Sequence, residues 1–171
     1  MPVKFFIITL SLLFSVAIAN AQRTSTFPSP IGFVNDYESD FTDEQVKNLD
    51  YTVKELLAQT MLRDSLKGIE IAIVTVTEKM YGDEKEFSSY VTRLGDKWGV
   101  ADKGENKAII IAYGQKIRKV TIVTGSALDN ILPPAVCHRI VDEKMAPAFR
   151  KGNYYEAILE AIKSIKEGLG L

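Results

Sequence analysis

The chain has 171 residues, with 21 Lys and Arg against 22 Asp and Glu, a formal net charge of −1. So even a balance leaves no electrostatic footprint for nucleic acid, and there is no basic tail to supply one. Cys137 is the only cysteine, which excludes an intramolecular disulfide and leaves packing to hold the fold.

In chain order, Met1 to Lys4 carries one positive side chain, Phe5 to Ala19 is an apolar run, and Ala19-Asn20-Ala21 has the small-x-small form of a signal-peptidase site. The run is short for a membrane span, so residues 1–21 read as a cleaved export signal; an uncleaved anchor is the alternative. Removing 21 of the 171 residues leaves 150, enough for one domain with a real core. A lipid anchor would need a cysteine at the new N-terminus, and Gln22 stands there. A soluble periplasmic or secreted protein is therefore expected, with no transmembrane segment in the mature chain.

Gln22 to Pro30 reads as a flexible, proline-containing leader, and residues 31–171 as the domain. Thr42 and Gln45 form a capping box, Phe41 and Val46 stand at staple positions, and Val46, Leu49, Val53, Leu56, Leu57 and Met61 repeat at helical spacing to about Asp64. Ile69 to Val76 reads as a strand. Asp83 and Glu86 open a second helix whose stripe runs from Phe87 to Trp98, with Trp98 as a core anchor. Lys107 to Tyr113 is a second strand, Gly114-Gln115-Lys116 a turn, and Arg118 to Thr124 the return strand of a hairpin. Pro133-Pro134 starts a helix that Pro147 stops, and Asn153 with Glu156 caps the last one. This order predicts a three-layer α/β/α sandwich: a small mixed sheet with one antiparallel hairpin and helices on both faces. Ligands in such folds gather where loops leave the carboxyl ends of strands.

No Gly-x-Ser-x-Gly elbow, Walker A loop or dinucleotide fingerprint occurs. Cys137 falls on an apolar helical stripe and reads as an inert core residue; His138, beside Asp142 at i+4, reads as a surface residue. A single histidine excludes a His-based zinc site by count. What remains is oxygen: Asp36, Glu38 and Asp40 in "VNDYESDF", and Asp102, Glu105 and Asn106 in "ADKGENK" around Gly104. Carboxylates and an amide carbonyl from two loops are what a hard cation such as Ca²⁺ or Mg²⁺ takes, although charged loops are more often simply solvated. The EF-hand pattern is absent.

Read together, "IGFVNDYESDFTDEQVKNLD", "IEIAIVTV", "WGVADKGENKAIII", "IRKVTIVTGSALDNILP" and "MAPAFRKGNYYEAI" resemble, in order and spacing, the TPM domain family over Ile31 to about Leu169. The resemblance implies an α/β/α sandwich in an exported or lumenal compartment, a divalent cation held by loop acids and, in some members, phosphatase activity. Asp36 matches the aspartate of the opening motif, Asp102 and Asn106 match the polar positions before the strand, and Asp129 stands where the family usually has glutamate. These four are the expected metal ligands, with Ca²⁺ favoured over Mg²⁺. The expected function is an accessory or scaffold module for an exported or membrane complex. Two alternatives stand beside it: metal-dependent hydrolysis of phosphomonoesters, with Lys107 or Arg118 offsetting charge, and a metal-free interaction domain.

The export reading is tested by intact mass: protein recovered from the exported fraction should begin at Gln22, and a retained Met1 in a membrane fraction would overturn it.

Overall fold

The computed structural model describes residues 24–100 and 106–171. The export segment and Asp102, Gly104 and Glu105 lie outside them. The elements run β1 (Val34–Asp36), α1 (Asp43–Met61), β2 (Glu70–Thr75), α2 (Glu78–Tyr81), α3 (Phe87–Trp98), β3 (Ala108–Gly114) and β4 (Lys119–Thr124). A 3₁₀ turn (Ser126–Leu128), α4 (Pro134–Ile140), a π turn (Val141–Met145), α5 (Ala146–Phe149) and α6 (Tyr154–Gly168) complete the chain.

The sheet order is β1-β2-β3-β4; the first three strands are parallel and β4 runs antiparallel to β3. Alternation along β3 sends Ile109, Ile111 and Tyr113 to one face and Ile110 and Ala112 to the other. The first face packs against α1 through Leu49, Val53 and Leu56 and against α6 through Ile158, Ile162 and Ile165. The second packs against Met80 and Tyr81 of α2 and Tyr90, Val91 and Leu94 of α3. Covering on both sides is why every β3 residue is buried and why its sequence is a continuous apolar run. The expected three-layer sandwich is the one observed. No helix among the described residues is long and apolar enough to cross a membrane.

The first helix begins as its sequence dictates. Gln45 N–H donates to Thr42 Oγ1 (3.2 Å), and Gln45 Oε1 accepts from Thr42 N–H (2.9 Å), closing the capping box.

Elsewhere the structure differs from the expectation. β1 adds a three-residue parallel edge strand, and a short helix not expected, α2, precedes the expected second one and ends at Gly82, whose φ is 63°. α3 then starts at Phe87, with no side-chain cap from Glu86. Pro147 does not stop its helix: the π turn before it leads directly into α5, with the proline in its first turn, where a missing N–H costs nothing. Asn153 makes no side-chain cap to α6. The leader from Thr24 to Pro30 lies against α2 and α3. Thr26 N–H donates to Met80 O (2.8 Å), Phe27 stacks on Tyr90, and the Trp98 indole N–H donates to Pro28 O (2.5 Å).

At the far end of the hairpin, Gly125 N–H donates to Ala108 O (2.8 Å), and a Cβ at Gly125 would lie 2.1 Å from the Asn106 carbonyl oxygen. Only glycine permits that approach.

Two stability changes follow. Thr42→Ala should cost roughly 0.5–2 kcal/mol in chemical denaturation, through the lost acceptor at the start of α1. Gly125→Ala, which must push the Asn106 backbone aside, should cost about 1–3 kcal/mol. An unchanged denaturation midpoint in either variant contradicts the corresponding contact.

Candidate functional site

The parallel register decides which loops share a space. Asp36 pairs with Thr75, and Thr75 with Tyr113, so the carboxyl ends of β1, β2 and β3 form one edge. The β1–α1 loop and the β3–β4 turn both open there. The segment before β3 enters from the opposite edge.

At the carboxyl edge, Asp36 is a structural hub. Its Oδ1 accepts from Thr75 Oγ1 (2.9 Å) and Asp40 N–H (3.2 Å), and its Oδ2 from Phe41 N–H (2.9 Å). Thr75 Oγ1 in turn accepts from Glu38 N–H (2.8 Å). The loop is thereby folded back over the strand ends, with Ser39 at a left-handed φ of 57°. Glu38 reaches the β3–β4 turn, where its Oε2 accepts from Gln115 N–H (2.7 Å).

Glu38 Oε1 is buried without a hydrogen-bond partner, and Asp40 Oδ2 is buried beside the Tyr113 hydroxyl, which can donate to it. Burial pushes the Glu38 carboxyl above its ordinary range, an effect partly countered by Gln115 N–H; Asp40 repels it further and Lys116 partly offsets that. Burial likewise raises Asp40, with contact to Tyr113 lowering it and Asp36 repelling it. Tyr113, 1% exposed, brings its buried hydroxyl to the same place, against Asp40. Its phenol is held far above the usual tyrosine range by burial first and then by the Asp40 charge, so it stays protonated.

At the opposite edge, Asn106 takes a left-handed φ of 46°, and its Nδ2 donates to Ser126 Oγ (2.6 Å). With Asp96 and Thr92 of α3 it lines a small cleft of about 170 Å³. Asp129 follows the 3₁₀ turn there and is exposed.

Of the expected ligands, Asp36 and Asn106 therefore do not meet. Asp36 ends one edge, while Asn106 precedes the start of β3, seven residues before Tyr113, which puts them about 20 Å apart along the strands. One ion cannot touch both. Asp102 lies outside the described residues, and among the described residues no three His, Cys, Asp or Glu side chains converge in a form able to hold a metal. Lys107, on the Asn106 side, donates from Nζ to Lys67 O (2.8 Å), far from the carboxyl edge. Cys137 is buried with Sγ toward Leu132 O, as its apolar stripe predicts. Sequence reasoning missed Tyr113 as a site residue, because an aromatic at the end of an apolar strand reads as core. It also missed Asp96, which sits on the polar side of a helix.

The TPM domain model matches residues 34–168. No curated protein matches. Among solved structures, the N-terminal domain of a P. gingivalis protein is similar at a TM-score of 0.65 and 23% identity, covering 88% of this chain and 84% of that one. The N-terminal domain of the cg2496 protein of Corynebacterium glutamicum is similar at a TM-score of 0.52 and 14% identity, over 86% of this chain and 88% of that one. At such identities the neighbours speak for the shared fold alone, while the sequence match spans all four strands and the helices between and after them: the chain belongs to the TPM domain family.

Proposed function

We propose that this TPM domain is an exported accessory module that holds a divalent cation, Ca²⁺ in preference to Mg²⁺, at the carboxyl edge of its sheet, in the service of an exported or membrane-attached complex. The observation that carries the reading is the close pair of buried carboxylates: Glu38 Oε1 has no hydrogen-bond partner, and Asp40 Oδ2 has only the Tyr113 hydroxyl beside it. Buried polar atoms are nearly always satisfied, and a hard cation would satisfy both of these while offsetting the mutual repulsion of the loop acids. Ca²⁺ takes about six to eight oxygens, so backbone carbonyls and water would complete the shell around these two carboxylates. In this reading Asp36, engaged by three donors, shapes the loop and Glu38 and Asp40 supply the ligands.

The amino-edge set is a second location for the ion. Asn106 offers an amide carbonyl oxygen, its Nδ2 being engaged by Ser126, and Asp129 and Asp102 would join it. Phosphomonoester hydrolysis is the second function. Arg118 near the carboxyl edge favours it, since a bound cation would polarise a phosphoryl oxygen and activate water while the guanidinium offsets charge. His138 and Cys137, the side chains best suited to covalent catalysis, lie on α4, with Cys137 buried against Leu132.

Millimolar Ca²⁺ on a micromolar site should stabilise the protein by on the order of 4 kcal/mol in thermal or chemical denaturation. Asp40→Asn with Glu38→Gln should abolish that gain. Without metal at pH 7 the same variant should be no less stable than wild type. A carboxyl whose folded-state pKa is raised favours folding at low pH and loses that favour as pH rises through the raised value, so removing the charge removes a cost. Loss of the gain in Asp102→Ala instead moves the ion to the amino edge. No shift with either metal overturns the cation reading. Turnover of p-nitrophenyl phosphate that chelator abolishes would replace the accessory reading with the enzymatic one.

A further inference from the structure

Beside Tyr113 at the carboxyl edge lies a cleft of about 540 Å³, within the roughly 300–1,000 Å³ typical of small-molecule sites. Its floor is aromatic. Tyr113 and Tyr154 stack at 5.4 Å between ring centroids with planes 5° apart, and Phe149 lies 5.1 Å from Tyr113 and 5.5 Å from Tyr154. Its rim is cationic: Arg118 and Lys119 from the hairpin and Arg150 from the end of α5, with Gln115 beside them. No acidic side chain lines it, and none of the three cations forms an ion pair among the described residues.

Arg118 adds an independent sign. It sits at a left-handed φ of 53° in the turn, a position glycine would occupy without strain. Tight turns keep a bulky residue there where the side chain is used. Three exposed cations converging over a flat apolar floor would otherwise only repel one another. The pattern of guanidinium forks above an aromatic surface matches a ligand that is negative at one end and flat and apolar at the other.

We propose that this cleft binds a small organic anion in which a carboxylate or phosphate head meets Arg118 and Arg150 and a planar apolar body lies on Phe149 and Tyr154. Lys119 adds charge at the rim. The cleft adjoins the loop acids, since Gln115 lines it and donates its N–H to Glu38, but no acidic side chain lines it and the anion does not require the cation.

The test is titration of the exported full-length protein, by calorimetry or by chemical-shift changes, with benzoate, phenyl phosphate, inorganic phosphate and benzyl alcohol, each with and without chelator. Benzoate and phenyl phosphate should compete for one site, and the tighter of the two identifies the head group. Benzyl alcohol and inorganic phosphate, each lacking one half of the pattern, should bind at least about tenfold more weakly. Arg150→Ala and Arg118→Gly should each weaken the aromatic anion by about tenfold or more. Both residues are exposed, and glycine suits the Arg118 backbone, so neither melting temperature should fall. Affinity unchanged in both variants, or equal affinity for benzyl alcohol and benzoate, overturns the proposal. So does binding that chelator or Asp40→Asn removes, because the anion would then rest on the cation.

Discussion

The carboxylate of Asp36 is the contact on which the carboxyl edge depends. Thr75 is fully buried at the end of β2, so its hydroxyl must find a partner inside the protein, and Asp36 Oδ1 accepts its proton. The same carboxylate takes the backbone N–H groups of Asp40 and Phe41, which bends the chain back immediately before α1. Phe41 can then pack against Tyr113 and Tyr155, and Thr42 arrives where it caps the helix. One short side chain thus joins β1 to β2, sets the entry of α1, and turns Glu38 and Asp40 toward the end of β3.

Tyr113 stands at the centre of the resulting charge pattern. Asp36, Glu38 and Asp40 act on its hydroxyl, Arg118, Lys119 and Arg150 line the adjoining cleft, and the phenol itself is kept neutral by burial. The acids are held by backbone donors and by the strand register, which keeps them close together at a cost in repulsion. The cations project from a turn and from a helix end, on exposed positions, where their cost to the fold is small.

The amino edge is built differently. Its close approach of Asn106 to Gly125 belongs to the hairpin, and its polar atoms are already paired, Asn106 with Ser126 and Lys107 with Lys67 O. Satisfied groups of this kind stabilise a junction, whereas the buried carboxylates of the carboxyl edge leave capacity for a ligand.

Much of this architecture was legible in the residues themselves. The capping box at Thr42 and Gln45, the apolar run of β3 and the helical stripe of α6 depend on contacts within a few residues or on a burial pattern that alternation displays directly. β1 was not legible, because three residues are too few to show a period, and its pairing with β2 is set by Thr75 and Asn35, which lie far apart in the chain. That omission also hid the arrangement of the site. Between parallel strands, the loop after β1 and the segment before β3 must open at opposite ends of the sheet, so Asp36 and Asn106 could be assigned to one ion only while β1 went unseen. Pro147 shows the same division: its missing N–H is a local fact, but the π turn that carries the helix past it forms where Met145 is buried against the core. The sequence by itself determined the longer helices α1, α3 and α6, the strands β2, β3 and β4, and that oxygen is the available ligand chemistry, since these follow from side-chain type and spacing. Only the tertiary structure decided which oxygens meet, because parallel pairing across dozens of residues is what places Glu38, Asp40 and Tyr113 together and sends Asn106 to the other end.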